Sequence, residues 1–146
     1  MLHALILSTV LFSQAWALKL TDCGSKTGKI LDVIITECES SDVCEFKRGE
    51  SYYFEVSFKS LTDSENLKTV IHGVIGGFPI PFPLPNANAC EHSDVECPLQ
   101  TDETYTYGFE FEVSNSYPKI NADMKLELKD DENKDVVCVQ VPVKIV

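Results

Sequence analysis

Four stretches of this chain alternate apolar and polar side chains with a period of two, and that alternation leaves few folds open. In the first, Tyr52, Phe54, Val56 and Phe58 share one face, against Tyr53, Glu55, Ser57 and Lys59 on the other. Tyr105, Tyr107, Phe109, Phe111 and Val113 form the second such row, and Ile120, Ala122, Met124, Leu126 and Leu128 the third. Val137, Val139, Val141, Val143 and Ile145 make the fourth. Successive side chains of a strand point to opposite faces, so each stretch reads as a strand with one apolar side. Residues 29–36 add a strand candidate with a mostly continuous apolar run, and no long segment carries the helical period. One-sided strands need a second sheet to cover them. The expectation is an all-β chain: an immunoglobulin-like two-sheet β-sandwich of about seven antiparallel strands.

Residues 70–85 depart from this pattern. Val70 to Ile75 in sequence is a β-branched run that suits a buried strand, and Gly76 and Gly77 then let the backbone turn. After them apolar residues alternate with prolines: Phe78, Pro79, Ile80, Pro81, Phe82, Pro83, Leu84, Pro85. Proline fixes φ and has no N–H, so this half cannot lie in the middle of a sheet. It is expected to be extended and stiff, with its large side chains displayed. Two readings stand. Either Phe82 and Leu84 cap one end of an ordinary core, or Ile80, Phe82 and Leu84 form the rim of an apolar cavity. Aromatic inner faces fit both, because bulky rings either fill a core or hold two sheets apart.

The chain opens on an apolar run, residues 4–12, followed by Ala15-Trp16-Ala17, a small-x-small cleavage site. Residues 1–17 are therefore expected to be a signal peptide, and residues 18–146 one domain of ordinary size. The run is too short to span a membrane. A formal charge of −11 makes the chain a poor partner for nucleic acid or anionic lipid surfaces. Six cysteines in a small secreted domain read as three disulfides, for which fifteen pairings exist. Short loops close at least cost, which favours Cys38 with Cys44 and Cys90 with Cys97. Cys23 and Cys138 would then staple the two ends together. Metal binding is the alternative use of cysteine, but no Cys-x-x-Cys or histidine cluster supports it.

Catalytic chemistry has little support. Oxidised cysteines leave no thiol nucleophile, and His3 falls in the expected leader. His72 lies in a strand and His92 in a small disulfide loop, where packing or a hydrogen bond is the ordinary role. Gly73, Gly76 and Gly77 lack the spacing and basic partner of a phosphate loop. No cofactor is expected.

The cysteine frame and the proline stretch together carry a resemblance. Asp22-Cys23-Gly24-Ser25, Lys47-Arg48-Gly49 after the Cys38/Cys44 loop, and Val70-Ile-His-Gly73 are part of it. So are Pro79-Ile-Pro-Phe-Pro-Leu-Pro85, Cys97-Pro-Leu-Gln100, Ser116-Tyr117-Pro118 and the ending from Cys138. In these the chain resembles the Niemann-Pick type C2 proteins of the ML lipid-recognition family, which also includes the group 2 mite allergens. The resemblance implies an apolar tunnel between the two sheets and the pairs Cys23–Cys138, Cys38–Cys44 and Cys90–Cys97. It places the three most important tunnel positions on Phe82, Val113 and Tyr117. Further lining positions fall on Ile35, Phe46, Tyr52, Phe54, Ile75, Ile80, Leu126 and Val139. Mammalian relatives hold Trp where this chain has Leu126 and Val139, so the tunnel is expected to differ in shape. No Asn-x-Ser/Thr acceptor exists for a glycan-dependent lysosomal route.

The function these readings imply is a secreted, non-catalytic carrier of a sterol or fatty-acid-like lipid. It would act as a monomer, outside the cell or in the lysosomal lumen, with a membrane sterol transporter or receptor as a possible partner. The alternative is a lipid- or semiochemical-recognition protein in innate immunity or chemosensation.

Overall fold

The computed structural model describes residues 19–38, 42–91 and 93–146; the expected signal peptide and His92 lie outside them. Nine strands follow in chain order: β1 (Thr21–Asp22), β2 (Gly28–Ile35), β3 (Cys44–Phe46), β4 (Ser51–Ser60) and β5 (Lys68–Ile75). Then come β6 (Phe78–Phe82), β7 (Thr104–Glu112), β8 (Asn121–Lys129) and β9 (Asp135–Ile145). They form two sheets. One is ordered β1-β9-β8-β5-β6, with β3 also paired to β9; the other is β2-β4-β7. The two-sheet sandwich expected from the alternation is present.

Two details correct that expectation. There are nine described strands rather than about seven, and β3 runs parallel to β9, from Cys44 opposite Val143 to Phe46 opposite Ile145. The extra elements are β1 and β3, of two and three residues. Segments that short show no period, and a partner rather than a pattern makes them strands.

The alternation determines which side chains meet between the sheets. On the inner face of the larger sheet, Val139, Leu126, Ile71 and Phe82 lie side by side across β9, β8, β5 and β6. Val141, Met124, Gly73 and Ile80 form the next row, and Val137, Leu128 and Thr69 the row on the other side. Opposite them, Phe58 pairs with Tyr105, Val56 with Tyr107, Phe54 with Phe109 and Tyr52 with Phe111. Phe54, Phe58, Leu126, Leu128, Val137 and Val141 are all fully buried. Burying a side chain of this kind stabilises the fold by roughly 1.5–3 kcal/mol each, before chain entropy is counted.

The proline half folds as the edge strand β6. It pairs only with β5, with Pro79 opposite Val74 and Pro81 opposite His72, so its missing N–H groups face no second neighbour. Gly76 and Gly77 join the two strands with φ of 57° and 83°, a two-residue hairpin loop in the left-handed region that glycine enters without strain. Disulfides join Cys23 to Cys138, Cys38 to Cys44 and Cys90 to Cys97. Three such bonds belong to an oxidising compartment, outside the cell or in a lumen.

Candidate ligand cavity

A cavity of about 450 Å³ lies between the sheets. That is within the roughly 300–1,000 Å³ of sites that hold small organic ligands. The larger sheet lines it with Ile71, Gly73 and Ile75 from β5, Ile80 and Phe82 from β6, and Ala122 and Met124 from β8. Val143 and Ile145 from β9 complete that wall. The smaller sheet contributes Phe109 and Phe111 of β7, with Val113 just beyond it. Phe46, Tyr117, Pro118 and Ile120 complete the lining. Of twenty lining residues, only His72, Asp123 and Tyr117 carry a polar side chain. Water gains few hydrogen bonds in such a space, so an apolar guest can displace it at little cost.

The hollow arises from the side chains that are missing. Gly73 sits in the middle of the wall, and a Cβ built there meets nothing within 4 Å. Ala122 sits in the next row beyond Met124. Where the same face carries Leu126 and Leu128, the sandwich is solid. Exposure grades along the space. Ile71 and Met124 are buried, Ile75, Ile120 and Ile145 half-buried, and Ile80 is 50% exposed. The cavity is thus closed towards Thr69 and open towards the Gly76-Gly77 turn.

Phe82 and Tyr117 meet at the rim, edge to face, with ring centroids 6.0 Å apart. Tyr117 is carried by a turn in which its N–H donates to the Ser114 carbonyl. Arg48 holds that turn from outside, its guanidinium donating to the carbonyls of Asn115 at 3.2 Å and Tyr117 at 3.4 Å. Burial raises the Tyr117 phenol above its usual pKa, so it remains a neutral hydroxyl. Phe46, Tyr52 and Phe111 pack as a ring cluster beneath, with Phe46 4.7 Å from Tyr52 and 5.2 Å from Phe111.

Of the positions carried over from the resemblance, Phe82, Val113, Tyr117, Phe46, Ile75 and Ile80 come together around the cavity. Ile35, Tyr52, Phe54, Leu126 and Val139 do not line it. Ile35 pairs with Phe54, which pairs with Phe109, so both stand behind the ring that faces the space. Leu126 and Val139 share a row with Ile71 and Phe82 but stand farther from β6 and are fully buried. Tyr52 turns its hydroxyl away to accept the Lys47 N–H at 2.7 Å. The set carried over from the resemblance left out much of the lining, Ile71, Phe109, Met124, Ala122 and Gly73 among it. The signal was available: Met124 and Ala122 lie two and four residues before Leu126, on the same face.

The one described group of metal-binding type, Glu127, Asp135 and Cys138, is already satisfied. Cys138 is in a disulfide, and the Lys129 ammonium lies 3.1 Å from both carboxylates. His72 also faces this group, 4.0 Å from Glu127.

Fold and cavity together define a class: a disulfide-braced β-sandwich that encloses a ligand-sized apolar space. The ML-domain profile matches residues 17–145, and the chain belongs to the ML-domain family. It is 40% identical to the NPC intracellular cholesterol transporter 2 homolog a of Drosophila melanogaster, over 98% of this chain and 97% of that one. It is 39% identical to the NPC intracellular cholesterol transporter 2 of Danio rerio, covering 99% and 96%. Among solved structures it is similar to a Niemann-Pick type C2 protein from the Japanese carpenter ant. The TM-score is 0.84 and the identity 30%, over 88% of this chain and all of that one.

Proposed function

We infer that this chain carries a sterol, or another elongated apolar lipid, through an aqueous lumen or the extracellular space and performs no chemistry on it. The observation that carries the reading is the apolar cavity, open at one end and bounded by Gly73 and Ala122 where bulkier side chains would fill it. Each Å² of apolar ligand surface taken from water contributes roughly 25 cal/mol. A lipid almost insoluble in water therefore gains substantially by entering. Relatives named for cholesterol transport support a sterol as the cargo. All six cysteines are engaged in disulfides, and the carboxylates of Glu127 and Asp135 are engaged by Lys129, which leaves neither set available as a nucleophile or base. Phe82 and Tyr117 act as the gate, and Val113 sets the width beyond it.

Native mass spectrometry of the secreted protein tests this first, by the mass of what co-purifies. Transfer of a fluorescent sterol between donor and acceptor liposomes tests the transport step. A one-to-one lipid adduct and protein-dependent transfer support a carrier. An adduct without transfer would leave a binding protein that reads its lipid rather than delivers it.

A further inference from the structure

Two short motifs set far apart in the sequence, Lys47-Arg48-Gly49 and Ser116-Tyr117-Pro118, meet beside the cavity. The first is pinned to the body of the sandwich. Gly49 N–H donates to the Val113 carbonyl at 2.6 Å, Val113 N–H to the Glu50 carbonyl at 2.9 Å, and Arg48 N–H to the Val146 carbonyl at 3.2 Å. These bonds also fix Val113, where the turn carrying Tyr117 begins. Its far end is fixed at Ile120, whose carbonyl accepts the Ile145 N–H at 2.9 Å. Residues 114–119 run between these anchors, and their own bonds are internal. Tyr117 N–H donates to the Ser114 carbonyl, Ser116 N–H donates to Ser114 Oγ, and the two serine hydroxyls lie 2.7 Å apart. Among the described residues, every hydrogen bond from this turn to another part of the chain comes from the Arg48 guanidinium.

Arg48 is half-buried and enters none of the described ion pairs, so its charge is directed at the carbonyls of Asn115 and Tyr117. Hydrogen bonds from a charged donor are stronger than neutral ones, and a guanidinium can serve two acceptors at once. A turn with two anchored ends and one polar tie can swing as a unit when that tie breaks, carrying the Tyr117 ring away from Phe82. We propose that Arg48 is the latch of this gate, a positioning residue that sets how fast the mouth opens and therefore how fast cargo enters and leaves. Arg48 does not line the cavity, so a guest gains no contact from it. Weakening the latch favours the open gate in the empty and the filled protein alike. Entry and exit then speed up by the same factor, and the equilibrium affinity stays where it was. The inference rests on the carrier reading and names the residue that governs its kinetics.

The test follows release of a bound fluorescent sterol into excess cyclodextrin, beside its affinity from equilibrium titration. In Arg48→Met, which keeps the length of the side chain and removes its donors, exit is expected to be about tenfold faster with affinity unchanged within about twofold. Hydrogen exchange of residues 114–119 should quicken in the same variant while β8 and β9 keep their protection. Arg48→Lys retains the charge without the planar fork, so its exit rate should fall between the two; it also serves as the variant if Arg48→Met does not fold. In a Tyr117→Ala background the gate ring is gone, and Arg48→Met should add little to the exit rate. An exit rate that does not respond to Arg48, an affinity that falls as far as the exit rate rises, or a full effect without the Tyr117 ring overturns the latch and leaves the carrier standing. A wild type that takes up no sterol overturns the carrier reading, and the latch with it.

Discussion

Gly73 lies on an ordinary strand conformation, facing open space, so a side chain is allowed there by the backbone and excluded only by what the cavity is for. Glycine within a strand costs roughly 0.5–1 kcal/mol against a residue with a Cβ. Gly73→Val is therefore expected to hold or raise the thermal midpoint while reducing ligand affinity at least tenfold, read by calorimetry and probe displacement. Val113→Phe should act the same way from the opposite sheet, with a modest stability cost from its buried setting. Phe82→Ala removes half of the rim contact and is expected to weaken binding several-fold in a sandwich that stays folded. Leu126→Ala gives the contrast. It removes a fully buried core side chain and should cost about 2–5 kcal/mol of stability. The inward face of Val113 and Leu126 was legible from the period of two, whereas Gly73 and Phe82 lie in the stretch that departs from it. Which rows are filled was not legible, because that depends on what stands across the gap.

Two strand pairs carry the remaining predictions at the scale of the element. The β5–β6 hairpin turns through Gly76 and Gly77 and presents Phe78, 75% exposed, beside Ile80. A residue with a Cβ held in the left-handed region costs about 1–2 kcal/mol, so Gly77→Val should destabilise the hairpin locally. Asparagine tolerates that region, and Gly76→Asn should be nearly silent. Hydrogen exchange at β5 and β6 would separate the two. The prolines excluded β6 from the middle of a sheet in advance but did not reveal its pairing with β5, and β1 and β3 are too short for any pattern to show.

On the outer face of β8 and β9, burial and a hydrogen bond with Glu127 raise the Asp135 pKa above its usual range. Burial also tends to raise Glu127, but its hydrogen bonds with Asp135 and Lys129 and the nearby lysine charges outweigh that and hold it low. The signs oppose. The Asp135 contribution is full below the ordinary aspartate pKa and is lost as pH rises through the raised value. The Glu127 contribution is present above the ordinary glutamate pKa and is lost as pH falls through the lowered one. Acidification thus removes stability at Glu127 and restores it at Asp135. Asp135→Asn should lose more of its thermal midpoint than wild type between pH 7 and about pH 4. An equal or smaller loss would mean that Asp135 takes up no proton of consequence in this range.

Across the whole molecule, the disulfides act very unequally. Cys23–Cys138 closes a separation of 115 residues and Cys38–Cys44 one of six. In the chain-entropy account the long loop is worth about 5 kcal/mol and the short one about 2 kcal/mol, so a Cys23→Ala/Cys138→Ala pair should be far more damaging in denaturant titration than the Cys38/Cys44 equivalent. The sandwich itself was readable because nearly every strand is greasy on one side only. The extent of the cavity was not, since it depends on how two faces distant in sequence stand against each other. Crystals grown with cholesterol decide the central claim most directly. Elongated density is expected between Phe109 and Met124, one guest per chain, with its far end towards Thr69. An interior closed by side chains, with sterol absent or bound only on the outer surface, would contradict it.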